Sequence, residues 1–425
     1  MKKFLALLLA LVMVFALAAC GEPATEETTP AGEETTPATE PAGEETTPAG
    51  EEPSGETVDP NDIDDNPEAD TYEIAFVTDV GQLHDKSFNE GTWNGVKLYA
   101  YENGKTYKYY QPANDADATD EDRFEAMSQA VANGAKVVVC AGYLQEAALR
   151  RAAIEFPDVN FIFIDGYALY ENADDQNAEN PTSELLANVA GVNFNEEQCG
   201  YLAGYAVVMD GFTKLGFSGG GGGTNAACNR YGYGYLQGAS AAAEELGVEV
   251  EVNYSWQYGS AFQASPELQG MINGWYTNGT EIVFACGGSM FASVSAAASA
   301  NDGYVVGVDV DQSGESPAVV TSAMKGIDQA AILCLGHHFD GTWEEVGGVT
   351  TTLGAKDDAV GLPTAAESWR FETFTVEQYN TLFEAIKDGS LEVDNQYPTT
   401  DGDPNGPDDA GSLNGKLPNI TINVI

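Results

Sequence analysis

The chain of 425 residues is poor in positive charge: 17 Lys and Arg stand against 67 Asp and Glu, a formal net charge of −50. Nucleic-acid binding needs the opposite sign, so that class of function is excluded. Histidine is scarce, with three residues in all, and none of the six cysteines belongs to a Cys-x-x-Cys pair. Neither a structural zinc nor any other metal or cofactor is expected. Cys140, Cys286 and Cys334 sit inside apolar runs and read as small buried hydrophobes, not as a disulfide framework. The long apolar segment at residues 4–16 falls short of the roughly 20 residues of a comfortable membrane span.

What is present begins with that same segment. It follows Met1-Lys2-Lys3 and leads into Leu17-Ala18-Ala19-Cys20, which resembles the lipobox of a lipoprotein signal; Cys20 is then the lipid-attachment residue on the extracytoplasmic face of the membrane. Residues 21–70 repeat Glu-Glu-Thr-Thr-Pro-Ala-Gly and hold 17 acidic residues with no Lys, Arg or aromatic. Such a stretch buries too little apolar surface to offset chain entropy and reads as a disordered tether. The body, 71–425, carries 50 acidic and 15 basic residues, an exterior that favours solubility and repulsion from anionic lipid.

The body alternates buried-strand and helix patterns. Ile74-Ala75-Phe76-Val77 is a first strand, and Asp79, Ser87, Phe88 and Asn89 follow at its carboxyl end, before a helix closed by Asn103-Gly104. Either Asp85 or Ser87 reads as the N-cap of that helix. Thr119 to Asp122 has the form of a capping box. Asp115 and Asp117 lack the glycine and closing glutamate of a calcium loop. Strands at 136–140, 161–165, 188–194, 214–218, 248–254, 281–285 and 305–310 alternate with helices at 145–156, 196–209, 231–246, 266–278 and 293–300. The expected fold class is α/β, with two parallel sheets, each flanked by helices, forming two lobes that close on a ligand.

Five collinear motifs carry a resemblance. They are Phe76-Val77-Thr78-Asp79-Val80-Gly81, Asp85-Lys86-Ser87-Phe88-Asn89, residues 196–204 (Glu-Glu-Gln-Cys-Gly-Tyr-Leu-Ala-Gly), residues 307–312 (Gly-Val-Asp-Val-Asp-Gln) and Thr321-Ser322-Ala323-Met324-Lys325. Together they are similar to the basic membrane protein family of substrate-binding lipoproteins. These are partners of ABC importer permeases with the type I periplasmic-binding fold, and studied members bind purine nucleosides. The resemblance implies a first lobe at 71–192 and 323–350 and a second at 193–322 and 351–415. It also implies that Phe88 stacks on a base whose edge Asn89 reads, that Asp309 accepts from ribose hydroxyls and that Lys325 donates to the sugar. Asp79 joins the first-strand cluster, Gly287-Gly288 lets backbone approach the ligand, and Phe262, ahead of Tyr258, is the second aromatic wall. Ala147 aligns where many relatives carry an Asp, with Gln145 and Glu146 beside it, so base preference stays open and a riboflavin-like ligand remains an alternative.

The competing reading is a hydrolase. Gly216-Phe217-Ser218-Gly219-Gly220 matches G-x-S-x-G, and Ser218, Asp309 and His337 or His338 occur in hydrolase order. A nucleophile elbow turns straight into a helix, however, whereas Ser218 precedes five glycines, each costing about 1 kcal/mol in a helix relative to Ala. The chain is therefore read as a binding protein, not an enzyme, with His337 and His338 ending a helix. Fractionation tests the anchor: wild-type protein should sediment with membranes and Cys20→Ser should not.

Overall fold

The structure is a computed structural model that describes residues 58–80, 82–400, 402 and 406–425. The signal segment, Cys20, residues 21–57 of the expected tether and Gly81 lie outside the described residues. Residues 58–70, also expected in the tether, instead pack on the first helix of the body. Their acidic groups find partners there: Asp65 accepts from Trp93 Nε1 at 2.7 Å and pairs with Lys97 at 2.9 Å, while Lys97 Nζ also donates to the Pro60 carbonyl at 2.8 Å. Lys97 and the Asp65 partner Trp93 are both buried, so these contacts tie the segment down where composition alone suggested none would.

In chain order the elements are β1 (Ile74–Val77), α1 (Phe88–Asn103), β2 (Tyr107–Tyr110), α2 (Asp120–Ala132), β3 (Val137–Ala141), α3 (Glu146–Glu155), β4 (Asn160–Ile164), β5 (Val189–Phe194), α4 (Glu196–Met209), β6 (Lys214–Gly219), α5 (Ala226–Leu246), β7 (Val250–Ser255), α6 (Pro266–Thr277), β8 (Ile282–Cys286), α7 (Met290–Ala300), β9 (Tyr304–Asp309), β10 (Val319–Lys325), α8 (Ile327–Phe339), β11 (Thr350–Leu353), β12 (Val360–Gly361), α9 (Val376–Lys387) and β13 (Ile420–Val424). The first sheet runs β11-β5-β4-β3-β1-β2, and the second runs β12-β10-β9-β8-β6-β7-β13. Both are parallel, apart from the short antiparallel pairing of β12 with β10. Every residue of β1, β3 and β8 is buried, as parallel strands covered on both faces require.

Local signals set the helix ends. Asp85 caps α1 by accepting from the Ser87, Asn89 and Glu90 amides, and Gly104 ends it in the left-handed conformation at φ 62°. Thr119 and Asp122 form a capping box on α2. α5 begins at Ala226, five residues before the expected start, because Asn225 caps it through the Cys228 amide.

The chain passes between the lobes after β5, after β10 and after β11. The expected lobe limits shift accordingly. Residues 351–353 pair with β5 in the first sheet, 323–325 finish a strand of the second, and the second sheet extends past 415 to β13. Within the second lobe α4 and α5 approach at backbone distance. A Cβ on Gly204 would lie 2.1 Å from the Tyr235 carbonyl oxygen, and one on Gly238 would lie 2.0 Å from that of Tyr201. This contact explains the glycines of the 196–204 motif. Gly204→Ala should lower the free energy of unfolding by about 1–3 kcal/mol in urea denaturation. Gly270→Ala on α6, where no atom lies within 4 Å of the added Cβ, should instead stabilise by up to about 1 kcal/mol.

Candidate functional site

A cavity of about 290 Å³ lies where the carboxyl ends of the two sheets face each other, near the lower end of the roughly 300–1,000 Å³ of small-ligand clefts. Asp79 follows β1, Gly142 and Tyr143 follow β3, and Asp165 follows β4; Gly287 and Gly288 follow β8, while Asp309 ends β9 and Lys325 ends β10. Carboxyl strand ends are where open α/β sheets hold ligands. All eight expected site residues, Asp79, Phe88, Asn89, Phe262, Gly287, Gly288, Asp309 and Lys325, line this one cavity. Tyr258 does not: it is 45% exposed. Ala147 is exposed on α3, so the doubt about the base cannot be placed there; Gln145 turns inward to bond the Val77 and Thr78 carbonyls, and Tyr143 of the same turn lines the cavity.

At one end, Asn89 Nδ2 donates to both Asp79 Oδ1 and Asp85 Oδ2, each at 3.1 Å. Two carboxylate acceptors fix the amide orientation, because the carboxamide oxygen could not bond either of them. Asn89 Oδ1 is left buried without a partner. Burial raises the Asp79 carboxyl above its ordinary range, against the opposing hydrogen bond from Asn89.

At the other end, Lys325 Nζ sits 2.5 Å from Asp165, 3.4 Å from Glu196 and 3.8 Å from Asp309. Arg230 Nε reaches the second oxygen of Glu196 at 2.6 Å. Burial alone would lower the Lys325 pKa, but Asp165, Glu196 and Asp309 hold it well above its ordinary value. For Glu196 burial is outweighed by Arg230 and Lys325, so its carboxyl titrates low. Asp165 is pushed up to about 6, by burial first and by the neighbouring Glu196 and Asp309, despite Lys325. The network joins the lobes, since Lys325 lies on the second sheet and Asp165 on the first. Ser87 Oγ adds a further inter-lobe bond to Asp309 Oδ2 at 2.6 Å, and Gln312 Nε2 donates to the Lys86 carbonyl at 2.8 Å. Sequence reasoning assigned no site role to Asp165 and Arg230, and Glu196 stood there only as the first residue of the 196–204 motif. The available signal was a carboxylate directly after a buried strand at Asp165.

The five-glycine run is explained by rings. A Cβ on Gly220 would lie 2.3 Å from Phe262 Cδ1 and one on Gly219 would lie 2.0 Å from Trp256 Cζ3. The run is a packing surface and not a nucleophile elbow. Ser218 Oγ is buried without a hydrogen-bond partner, while His337 Nδ1 shares a hydrogen bond with Thr342 Oγ1 and His338 Nδ1 accepts from Asn160 Nδ2, both at 2.9 Å. No hydrogen bond joins Ser218, Asp309 and either histidine into a triad. The described cysteines are free and buried.

A family profile described as ABC transporter substrate-binding protein PnrA-like (Bmp) matches residues 73–395. The chain belongs to the PnrA-like family of ABC transporter substrate-binding proteins. Among curated relatives, the nucleoside-binding protein BmpA of an ABC transporter in Lactococcus lactis subsp. cremoris is 26% identical over 251 residues, 56% of this chain and 64% of that protein. Basic membrane protein B of Borreliella burgdorferi is 30% identical over 241 residues, 55% of this chain and 64% of that one. The aligned stretch thus spans just under two thirds of either relative. A solute-binding protein of an ABC transporter system from Aeropyrum pernix K1 superposes with a TM-score of 0.60 at 19% identity, covering 81% of this chain and 96% of that one. The fold of this PnrA-like chain is accordingly the two-lobed type I periplasmic-binding-protein fold. Among the described residues no helix is long and apolar enough to cross a membrane.

Removing the ammonium exposes the charge balance of the site. Lys325→Met leaves three carboxylates facing one another and should cost about 3–5 kcal/mol of stability at pH 7.5. A carboxyl whose folded pKa is raised contributes most below its unfolded pKa and loses that contribution as pH rises through the folded one. Lys325 lowers the Asp165 carboxyl, which stands at about 6 beside it, so removing the ammonium raises that carboxyl further. The deficit of Lys325→Met should therefore already shrink as pH falls from 7.5 toward about 6, in thermal unfolding followed by circular dichroism.

Proposed function

We propose that this PnrA-like protein captures a nucleoside, most consistent with a purine nucleoside, outside the cell membrane and delivers it to an ABC permease while tethered through a lipid on Cys20. The observation that carries the reading is the Asn89 amide. Its nitrogen is engaged by two carboxylates and its buried oxygen is unpartnered. A buried acceptor without a partner costs free energy until a ligand donor reaches it. A heterocycle edge bearing N–H groups supplies that donor while its face packs on the Phe88 and Phe262 rings.

The rest of the cavity suits a ribose. Asp309 keeps acceptor capacity beside its bonds from Ser87 and Tyr231, and a sugar bearing two hydroxyls donates to such a carboxylate. Lys325 stands next to it as a donor. The Lactococcus relative, named as nucleoside-binding, supports the same ligand class. Because both lobes contribute to the cavity, a ligand held by both favours the arrangement in which the two lobes contact it together.

Titration calorimetry with adenosine, guanosine, inosine and riboflavin tests the proposal. Phe88→Ala should weaken nucleoside binding by about 1–3 kcal/mol, the range for base–aromatic stacking. Asp309→Ala should cost a similar amount for nucleosides and leave the free base nearly unaffected. Tight binding of a peptide or simple sugar, with silence toward all four compounds, would refute the nucleoside reading and leave the transporter assignment intact.

A further inference from the structure

The family match ends at residue 395, but the chain continues to Ile425 and the described part of this tail is built onto the second lobe. β13 extends the sheet in parallel with β7, placing Ile422 opposite Val252. The Ile425 amide donates to the Tyr254 carbonyl and its carbonyl accepts from Ser255 Oγ, both at 2.9 Å, while Ser240 Oγ donates to the Pro418 carbonyl at 2.6 Å. Nearer the site, the Asp408 amide donates to the Gly223 carbonyl at 2.9 Å. Asp408 Oδ2 accepts from Trp256 Nε1 at 3.0 Å and from the Ala410 amide at 3.2 Å.

These contacts lead to the ligand cavity in short steps. The Trp256 ring lies on Gly219 and Gly223, where an added Cβ would come within 2.0 Å and 3.1 Å of it. Between those glycines, Gly220 receives the Phe262 ring in the same manner, at 2.3 Å, and its amide is held by the Cys286 carbonyl at 2.8 Å. Phe262 has a left-handed backbone at φ 56°, a conformation that a bulky residue keeps only when its surroundings enforce it. Its amide is held by the Gly259 carbonyl at 3.0 Å, and Gly259 also accepts from Gly221 at 3.1 Å.

We infer that the tail beyond residue 395 is a positioning element of the ligand site: Asp408 fixes the Trp256 indole, the indole fixes the glycine loop, and the loop fixes Phe262 as the second aromatic wall. Asp408 and Trp256 are positioning residues, not ligand contacts; neither lines the cavity. In affinity terms the inference rests on the aromatic-ligand reading above, but in structural terms it stands without it.

The test uses the whole chain labelled with 4-fluorophenylalanine, with the Phe262 fluorine resonance assigned through Phe262→Leu. Asp408→Ala should shift and broaden that resonance, and Asp408→Asn, which keeps a carbonyl acceptor, should restore it. Trp256→Phe, which removes the N–H and keeps a ring, should reproduce the shift and serves if Asp408→Ala does not fold. Inosine calorimetry should show a loss of roughly five- to tenfold for Asp408→Ala and no further loss when Phe262→Leu is already present, as for residues acting through one another. An unmoved Phe262 resonance in folded Asp408→Ala or Trp256→Phe overturns the inference, as does an equal loss of affinity in the Phe262→Leu background. If inosine and the other three compounds all fail to bind, the nucleoside reading fails, and the fluorine result alone decides the role of the tail.

Discussion

The arrangement of the site depends on one buried ammonium. Lys325 is 4% exposed and is surrounded by Asp165, Glu196 and Asp309, with Arg230 balancing Glu196 from behind. Desolvating such charges costs several kcal/mol per ion, and the cost is recovered only with good geometry and further hydrogen bonds. Here the charges come from distant places in the sequence: the end of β4, the start of α4, the end of β9 and the end of β10. Lys325 and Glu196 flank two of the three places where the chain passes between lobes. The relative placement of the lobes and the electrostatic balance of the cavity are thus set by the same contacts.

Backbone strain is concentrated around the same cavity. Asp165, Phe262 and Asp309 are non-glycine residues with φ of 56°, 56° and 65°, conformations that cost about 1–3 kcal/mol each. All three line the cavity. Such strain persists when neighbouring structure over-determines it, and in return the side chains are already aimed before a ligand arrives. Preorganisation of this kind lowers the ordering cost of binding. It also gives the glycines beside them a definite role: Gly287, at φ 152°, admits the Phe262 ring at 3.1 Å from where a Cβ would stand.

The parts of this architecture that were legible in the sequence are those encoded locally. Central strands such as Val137–Ala141 show as continuous apolar runs, and α4 has the bounds its pattern suggests. Phe88 and Asn89 could be placed because a strand end and a helix start bracket them, and Asp309 because it closes an apolar strand pattern. Edge strands escaped notice: β2 reads Tyr-Lys-Tyr-Tyr and β11 reads Thr-Thr-Thr-Leu, short sequences without a continuous apolar run. The Lys325 to Asp165 pair joins residues 160 positions apart, which no spacing rule reaches. Residues 58–70 were misjudged for a related reason: their acidic composition resembles the preceding repeats, and only Trp93 and Lys97, supplied by α1, distinguish them.

The charge balance also bears on what the cavity can hold. Among the described residues lining it, Lys325 is the one cation, whereas Asp79, Asp85, Asp165 and Asp309 all contribute carboxyl groups. That ammonium is already shared by three carboxylates, so it has little attraction left for an anionic ligand. A phosphate brought into this space would meet carboxylates without a free partner and would lose its own hydration. A neutral molecule avoids that cost and can still donate hydrogen bonds to Asn89 Oδ1 and Asp309. Under the nucleoside reading proposed above, burial of a flat apolar face against Phe88 and Phe262 supplies the non-directional part of the affinity, while the donors and acceptors at the two ends decide which flat molecule is accepted.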